Sequence, residues 1–478
     1  MYFLKQIRQT FYRAWFFVVL VTLSSQPVLA DGTSTLVTDS SPDAGTVSAP
    51  TLVPGNAATK MAVVGSPWAV YGQYTNTYQW HPAFSAPGYI ATAQSLTPSN
   101  NGEQTNDATL YLGYRLDAQT EIWVNPEEDQ GFGLSDTLGI AGFPSGEAYK
   151  VGAVNPYYRT PRLFVRKVWN LDGASTEVAA GENQMAQTRS ANNVVVTVGK
   201  FAVTDVFDTN TYAHDPRNDF MNWSIVDGGA YDYAADAWGY SYGGSIELTQ
   251  DWWTLRGGIF DLSVTPNSEK LTENMSQLEW VTELEGRENW FVQPGTIKLL
   301  VYVNHGNMGS YKDALQYAAQ TNTVPNTANV RRFANRPGVE INFQQGLTAH
   351  SGLFARASIN DGSEETYEFT DINQSVSGGL SVQGNSWGRD GDTVGLAGVV
   401  NGLSHAARDY FAAGGMGVVI GDGSLPRYAN EDIVEMYYSW YVIQHIHITA
   451  DYQHVNNPAY NAERGPVDIF AIRTHLDF

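Results

Sequence analysis

Glu431–Val455 reads EDIVEMYYSWYVIQHIHITADYQHV, and its alternation decides the fold. Successive side chains of a strand point to opposite faces. Val434, Met436, Tyr438, Trp440 and Val442 therefore share one face, and Glu435, Tyr437, Ser439 and Tyr441 share the other. Past Ile443-Gln444 the pattern resumes, with Ile446, Ile448, Ala450 and Tyr452 alternating against His445, His447, Thr449 and Asp451. One face suits lipid and the other suits water. A tight turn between two such runs makes an antiparallel hairpin.

The same period runs outward in both directions. Val339, Ile341 and Phe343 alternate with Glu340, Asn342 and Gln344. The last residues place Phe470, Ile472, Thr474, Leu476 and Phe478 on one face, and Ala471, Arg473, His475 and Asp477 on the other. A terminal aromatic on such a strand makes Phe478 the expected contact for the outer-membrane assembly machinery. About sixteen runs of this kind, each near the roughly ten residues of a tilted membrane strand, fall at 68–80, 108–116, 119–127, 161–170, 194–201, 238–249, 252–264, 275–286, 295–306, 336–346, 349–359, 371–383, 392–402, 431–442, 445–455 and 467–478.

Their connections alternate in length. The long ones, 81–107, 128–160, 202–237, 307–335 and 403–430, fall on one side. The tight ones at Asp117-Ala118, Gln250-Asp251, Gln345-Gly346 and Ile443-Gln444 fall on the other. Outer-membrane barrels carry long extracellular loops and short periplasmic turns. The segment 171–193 is the exception, a longish periplasmic connection with room for a short helix. Trp80, Trp238, Trp252, Trp253, Trp280, Trp290, Tyr240 and Tyr242 lie at or near strand ends, where interfacial aromatic girdles belong. These observations predict an all-β, transmembrane antiparallel β-barrel of about sixteen strands at residues 61–478.

The start of the chain and its composition agree with export to the outer membrane. Lys5, Arg8 and Arg13 precede the apolar run Ala14–Leu23, and Val28-Leu29-Ala30 ends on a small residue, so residues 1–30 read as a signal peptide. The Ser/Thr/Pro/Gly-rich stretch 31–60 reads as a flexible periplasmic lead-in. No later segment suits a spanning helix, and a chain that spans lipid without one must close its sheet. Charged residues make up 16% of the 478, below the roughly 25% of soluble domains, while aromatics reach 13%. The chain has no cysteine, which suits passage through an oxidising periplasm. A formal charge of −22 excludes nucleic acid as a partner.

Two stretches are more specific. Asn125–Gly152 reads NPEEDQGFGLSDTLGIAGFPSGEAYKVG, and Gly199–Gly243 reads GKFAVTDVFDTNTYAHDPRNDFMNWSIVDGGAYDYAADAWGYSYG. Both resemble the signature stretches of the carbohydrate-selective porins, the OprB-type family. The intervening PRLFVRKVWNLDG at 161–173 resembles that family's fourth-strand region. The resemblance implies a sixteen-stranded barrel that admits glucose and other small sugars, with outer-membrane lipid around it. Monomer and trimer both remain open.

A pore selects by diameter and by the groups at its narrowest point, usually set by loops folded into the lumen. The loops at 128–160 and 202–237 are the candidates. Their acids, in or beside them, include Glu127, Glu128, Asp129, Glu147, Asp205, Asp208, Asp215 and Asp219. The strand register turns Arg115, Arg162, Arg166, Arg256 and Arg356 toward the lumen opposite them, with Phe164 between two of the arginines. Guanidinium and carboxylate groups suit sugar hydroxyls. Phe164, Trp223, Tyr231, Tyr233 and Trp238 offer faces for the C–H surface of a sugar ring. Each arginine has a plainer role open to it, that of pinning a loop to the wall.

No enzyme signature is present: neither G-x-x-x-x-G-K-[ST], H-E-x-x-H nor G-x-S-x-G occurs. His214-Asp215-Pro216 reads as a loop turn, and Glu279, Glu283 and Glu285 as a hydrated acidic wall. No catalytic residue, metal or cofactor is expected. A general or ion-selective pore, a barrel enzyme and a structural anchor are the competing readings.

Overall fold

In the computed structural model the described residues are 66–148 and 152–478. The signal peptide and lead-in expected at 1–60 lie outside them. The strands are β1 (Trp68–His81), β2 (Asn101–Asp117), β3 (Thr120–Gly131), β4 (Ala153–Asn170), β5 (Ser175–Val178), β6 (Gln187–Ser190), β7 (Asn193–Phe201), β8 (Ser241–Gln250) and β9 (Trp253–Asp261). They continue as β10 (Leu278–Glu288), β11 (Gly295–Met308), β12 (Arg332–Thr348), β13 (Ser351–Asn360), β14 (Gln374–Gly384), β15 (Arg389–Gly402), β16 (Glu431–Ile443), β17 (Ile446–Asn456) and β18 (Val467–Asp477).

Sixteen of these, all but β5 and β6, form one closed sheet. Each pairs antiparallel with its neighbours, and β1 meets β18 in register from Gln73↔Asp477 to Trp80↔Phe470. Closure leaves no unpaired edge, which is what lipid demands of a spanning sheet. Among the described residues no helix is long and apolar enough to cross a membrane.

The alternation maps onto the two faces as expected. Val434, Met436, Tyr438 and Trp440 are exposed on the outside of β16, whereas Glu435, Tyr437 and Ser439 are buried inside. Ile472 and Phe478 point outward, while Arg473 and His475 point inward.

Several boundaries differ from the expectation. β2 starts at Asn101 and β4 at Ala153, seven and eight residues before the runs at 108 and 161. These extensions rise toward the loop end, where the β2 residues 101–107 are polar on both faces and the β4 residues 153–160 mix apolar and polar side chains without the alternation that lipid enforces. Pro126 and Pro161 lie where the β3–β4 register slips between Asn125↔Arg162 and Glu127↔Arg159. Such a bulge tolerates residues that lack an N–H. The turn expected at Gln345-Gly346 falls at Ala349-His350, because β12 continues to Thr348. The connection 171–193 holds no helix. It carries the two-stranded hairpin β5–β6, paired from Ser175↔Ser190 to Val178↔Gln187.

The long loops fill the lumen. Nearly every residue from Phe220 to Ala237 is buried. Wall carboxylates hold these loops by their backbone: Glu431 accepts from the N–H groups of Ala141, Gly142 and Ala459. Glu435 accepts from Met221 and Asn222, and Glu279 from Ala234 and from the Tyr231 hydroxyl. Each carboxyl accepts two or three donors from the loops, so the acidic inner wall fixes loop geometry.

Candidate functional site

Two cavities lie along the barrel. A wide vestibule of about 1920 Å³ opens at the short-turn end. Above it a chamber of about 510 Å³ is enclosed by β4, β7 and the loops at 143–148 and 202–240. That volume is in the roughly 300–1,000 Å³ range of small-ligand pockets. Glu182, Gln184, Thr209, His214 and Asp215 border both spaces, so the two adjoin there.

Arg162 on β4 faces the chamber and forms a two-pronged pair with Asp205, Nε–Oδ2 2.7 Å and Nη2–Oδ1 2.6 Å. Its guanidinium also lies 5.0 Å from the Tyr240 ring centroid. Asp205 closes a short 3₁₀ turn and accepts the Ala202 N–H, 3.1 Å. Burial works to raise the Asp205 carboxyl, but the Arg162 charge outweighs it and holds it below the usual carboxylate range. Arg166, one turn of the pleat further down β4, stacks 5.0 Å from the Phe164 ring and reaches Glu121 at 3.2 Å.

Arg217, in the loop, gathers acids of β2, β3 and the loop after β3. It contacts Asp107 at 3.0 Å, Glu127 at 3.5 Å and Glu147 at 3.1 Å. Arg159 pairs with Glu127 and Asp129 beside it. The result is a ladder of alternating charge rather than an acidic loop facing a basic wall. Such a field orders water and favours polar solutes over apolar ones.

Other loop acids divide by environment. Burial and then the neighbouring Asp215 push the Asp219 carboxyl up to about 7, while Asp219 accepts the N–H groups of His214 and Asp215. Burial and then Asp208 push Asp227 up to about 8. Asp215 itself is held below its usual range: burial opposes this, but the Arg217 charge and the Arg217 N–H and Asn218 amide donors prevail. Burial, followed by the Arg356 charge, keeps His214 neutral to lower pH than usual.

Aromatics complete the chamber. Trp223 stacks on Phe143 with centroids 5.0 Å apart and planes at 14°. Tyr233 and Phe369 pack against Trp223 at 5.6 and 5.3 Å. The Trp238 indole N–H donates to the Tyr157 hydroxyl, 3.0 Å. β8 begins only at Ser241, so Trp238 and Tyr240 turn into the chamber instead of joining the outer girdle, whereas Trp252, Trp280 and Tyr242 do face outward.

Of the residues singled out in the sequence, Arg162, Phe164, Arg166, Glu147, Asp215, Trp223 and Trp238 border the chamber. Asp219 and Arg115 border the vestibule, with Arg115 close to the β2–β3 turn and donating to Ala186 O. Glu127 and Asp129 sit behind the lining, paired with Arg159. Two arginines belong to the wall. Arg256 is surrounded by Glu247, Glu283 and Glu285 at 2.9, 2.6 and 2.8 Å. Arg356 is buried against Asp208. Glu128 is corrected: on β3 it lies between the buried Glu127 and Asp129 and is exposed on the outer face. Tyr231 is buried behind the lining, bonded to Glu279 at 2.8 Å.

Sequence reading missed Arg159, Arg217, Tyr240 and Glu182. Arg159 precedes the apparent start of its strand, and Arg217 sits in a loop without periodicity. Glu182 lies in a connection assigned to the periplasm.

No curated protein matches the chain. Among solved structures, the high-pH structure of Pseudomonas putida OprB matches with a TM-score of 0.65 at 13% identity, over 86% of this chain and 94% of that one. The outer-membrane channel DcaP of Acinetobacter baumannii gives a TM-score of 0.49 at 9% identity, over 86% and 97%. A family model, that of the carbohydrate-selective porin, OprB family, matches residues 93–478, and the chain belongs to this family of outer-membrane channels.

Proposed function

We propose that this porin passes glucose-sized sugars through the chamber, with the Arg162–Asp205 fork as its polar contact and Trp223, Trp238 and Tyr240 as its apolar one. The carrying observation is that fork, set in a chamber that Trp223, Trp238 and Tyr240 also line. A fork offers paired donors and acceptors to adjacent hydroxyls, and the rings suit the C–H face of a sugar. Binding has to stay weak, because a solute that enters must also leave. The nearest competitor is a pore selective for ions without sugar preference, which the dense ion pairs favour.

Conductance of the refolded full chain in a planar bilayer, with glucose titrated into the bath, separates the two. Stable open steps that glucose reduces saturably support sugar recognition. Open steps indifferent to glucose leave an ion-selective porin. Absence of steps from folded protein points to the anchor reading or to a barrel enzyme.

A further inference from the structure

The periplasmic connection 171–193 is far longer than a turn requires, since four of the other turns at that end close in two residues, as at Ala118-Gln119 and Ala349-His350, and the other two take four and six. Its hairpin tip does not hang free. Met185 is buried within the same apolar cluster as Tyr71, Tyr111 and Trp123 of the inner wall. The Met185 N–H donates to Glu121, 2.9 Å, Arg166 donates to the Asn183 carbonyl, 2.7 Å, and Arg115 donates to the Ala186 carbonyl. Three wall side chains from three strands thus seat the segment 183–186 inside the lumen.

This anchoring projects Glu182 upward. Its side chain is exposed to lumen water and borders both the vestibule and the chamber. Asp215 of the long loop borders the same two spaces, with Arg217 and the Tyr111 hydroxyl also near Glu182. Arg217 itself is already shared among Asp107, Glu127 and Glu147. We propose that the periplasmic hairpin forms the inner threshold of the channel, and that Glu182, which shares the border between vestibule and chamber with Asp215, is a specificity-determining residue. It repels anionic solutes leaving the chamber while neutral polar ones pass. A carboxylate at a constriction between low-dielectric walls acts on any ion that must pass it.

This inference rests on the chain being a pore, and the test separates the two. The chain has no cysteine, so Glu182→Cys carries a single thiol. The full-length variant is refolded, recorded in a planar bilayer, and treated with an anionic or a cationic methanethiosulfonate, labelling being checked by mass. Thr188→Cys, exposed on the same hairpin and bordering neither cavity, is the control. We expect either label at 182 to cut single-channel current by about two-fold or more, and the two labels to move the reversal potential in opposite directions. The control should show neither effect. Glu182→Gln should lower the cation-over-anion permeability ratio by about two-fold. Full labelling at 182 with unchanged current and reversal potential overturns the proposal while the pore stands. If the wild type shows no open steps, the pore reading itself fails.

Discussion

Phe478 closes the barrel on Gly72. Its N–H donates to the Gly72 carbonyl at 2.9 Å and its carbonyl accepts from the Gly72 N–H at 3.0 Å. Its ring covers Gly72 so closely that a Cβ there would stand 2.3 Å from Cζ. A side chain at 72 must therefore push the terminal ring aside, which also displaces the group expected to engage the assembly machinery. Gly72→Val should lower the yield of folded barrel several-fold, read as the heat-modifiable fraction on gels after refolding into vesicles. Phe478→Ser should leave refolding in detergent nearly unchanged but reduce insertion in cells. Equal insertion of both variants and wild type would remove the terminal pair from assembly.

Neutralising Arg162 bears directly on the sugar contact. Removing the guanidinium leaves Asp205 charged and unpaired beside the chamber, so Arg162→Gln with Arg166→Gln should shift ion preference toward cations. It should also weaken glucose block by about ten-fold, corresponding to loss of about 1.4 kcal/mol of charge-assisted bonding. Arg256→Gln, at a residue enclosed by Glu247, Glu283 and Glu285, should leave the block unchanged. Equal effects of all three substitutions on block would contradict the assignment of the chamber.

Much of the barrel was legible because lipid enforces a period of two on every segment that crosses it. β16, β17 and β18 were readable almost residue by residue for that reason. The rule ends where lipid ends. β2 and β4 continue toward the loop end without a clean alternation of apolar and polar side chains, and there Arg159 escaped notice. The lumen face told that Arg162, Arg256 and Arg356 point inward, but not which would find buried acids. Asp205 and Asp208 come from the long loop after β7, away from the strands that carry Arg162 and Arg356, whereas Glu283 stands directly across from Arg256 on the neighbouring strand. The hairpin β5–β6 was hidden for a related reason: Met185, Asn183 and Ala186 are held by backbone contacts that leave no periodic trace.

Arg356 shows what a wall arginine does when it is not part of the channel. It donates to Asp208 Oδ1 at 2.8 Å, and to the carbonyls of Asp208, Ile225 and Ala213 at 3.0, 2.9 and 2.8 Å, so one side chain grips the inward loop at three points. Removing one member of a buried pair typically costs about 3–5 kcal/mol. Arg356→Met should therefore loosen the loop within a barrel that still forms. The expected signs are noisier open-channel current and proteolysis within 202–240, with sheet content by circular dichroism unchanged. A quiet, protease-resistant variant would show that the other loop contacts suffice.

The threshold should also titrate. Removal from bulk water within the barrel, and then the charge of Asp215, push the Glu182 carboxyl up to about 7. A carboxyl is neutral below its pKa and anionic above it, so the threshold gains negative charge as pH rises through neutrality. Asp219, also raised to about 7, and Asp227 in the chamber, raised to about 8, add charge in the same direction, whereas Asp215, held low, stays ionised throughout. The other charged or titratable groups around the throat are Tyr111, Arg115, Arg162, Arg166, His214, Arg217, His475 and Asp477. His214 stays neutral to lower pH than usual. Cation preference should thus increase between about pH 6 and 8, measured as reversal potential under a fixed salt gradient. Glu182→Gln should remove part of that increase, and Glu182→Gln with Asp219→Asn a larger part, Asp227 carrying the rest. A pH dependence that persists undiminished in the double variant would assign it to groups elsewhere in the lumen.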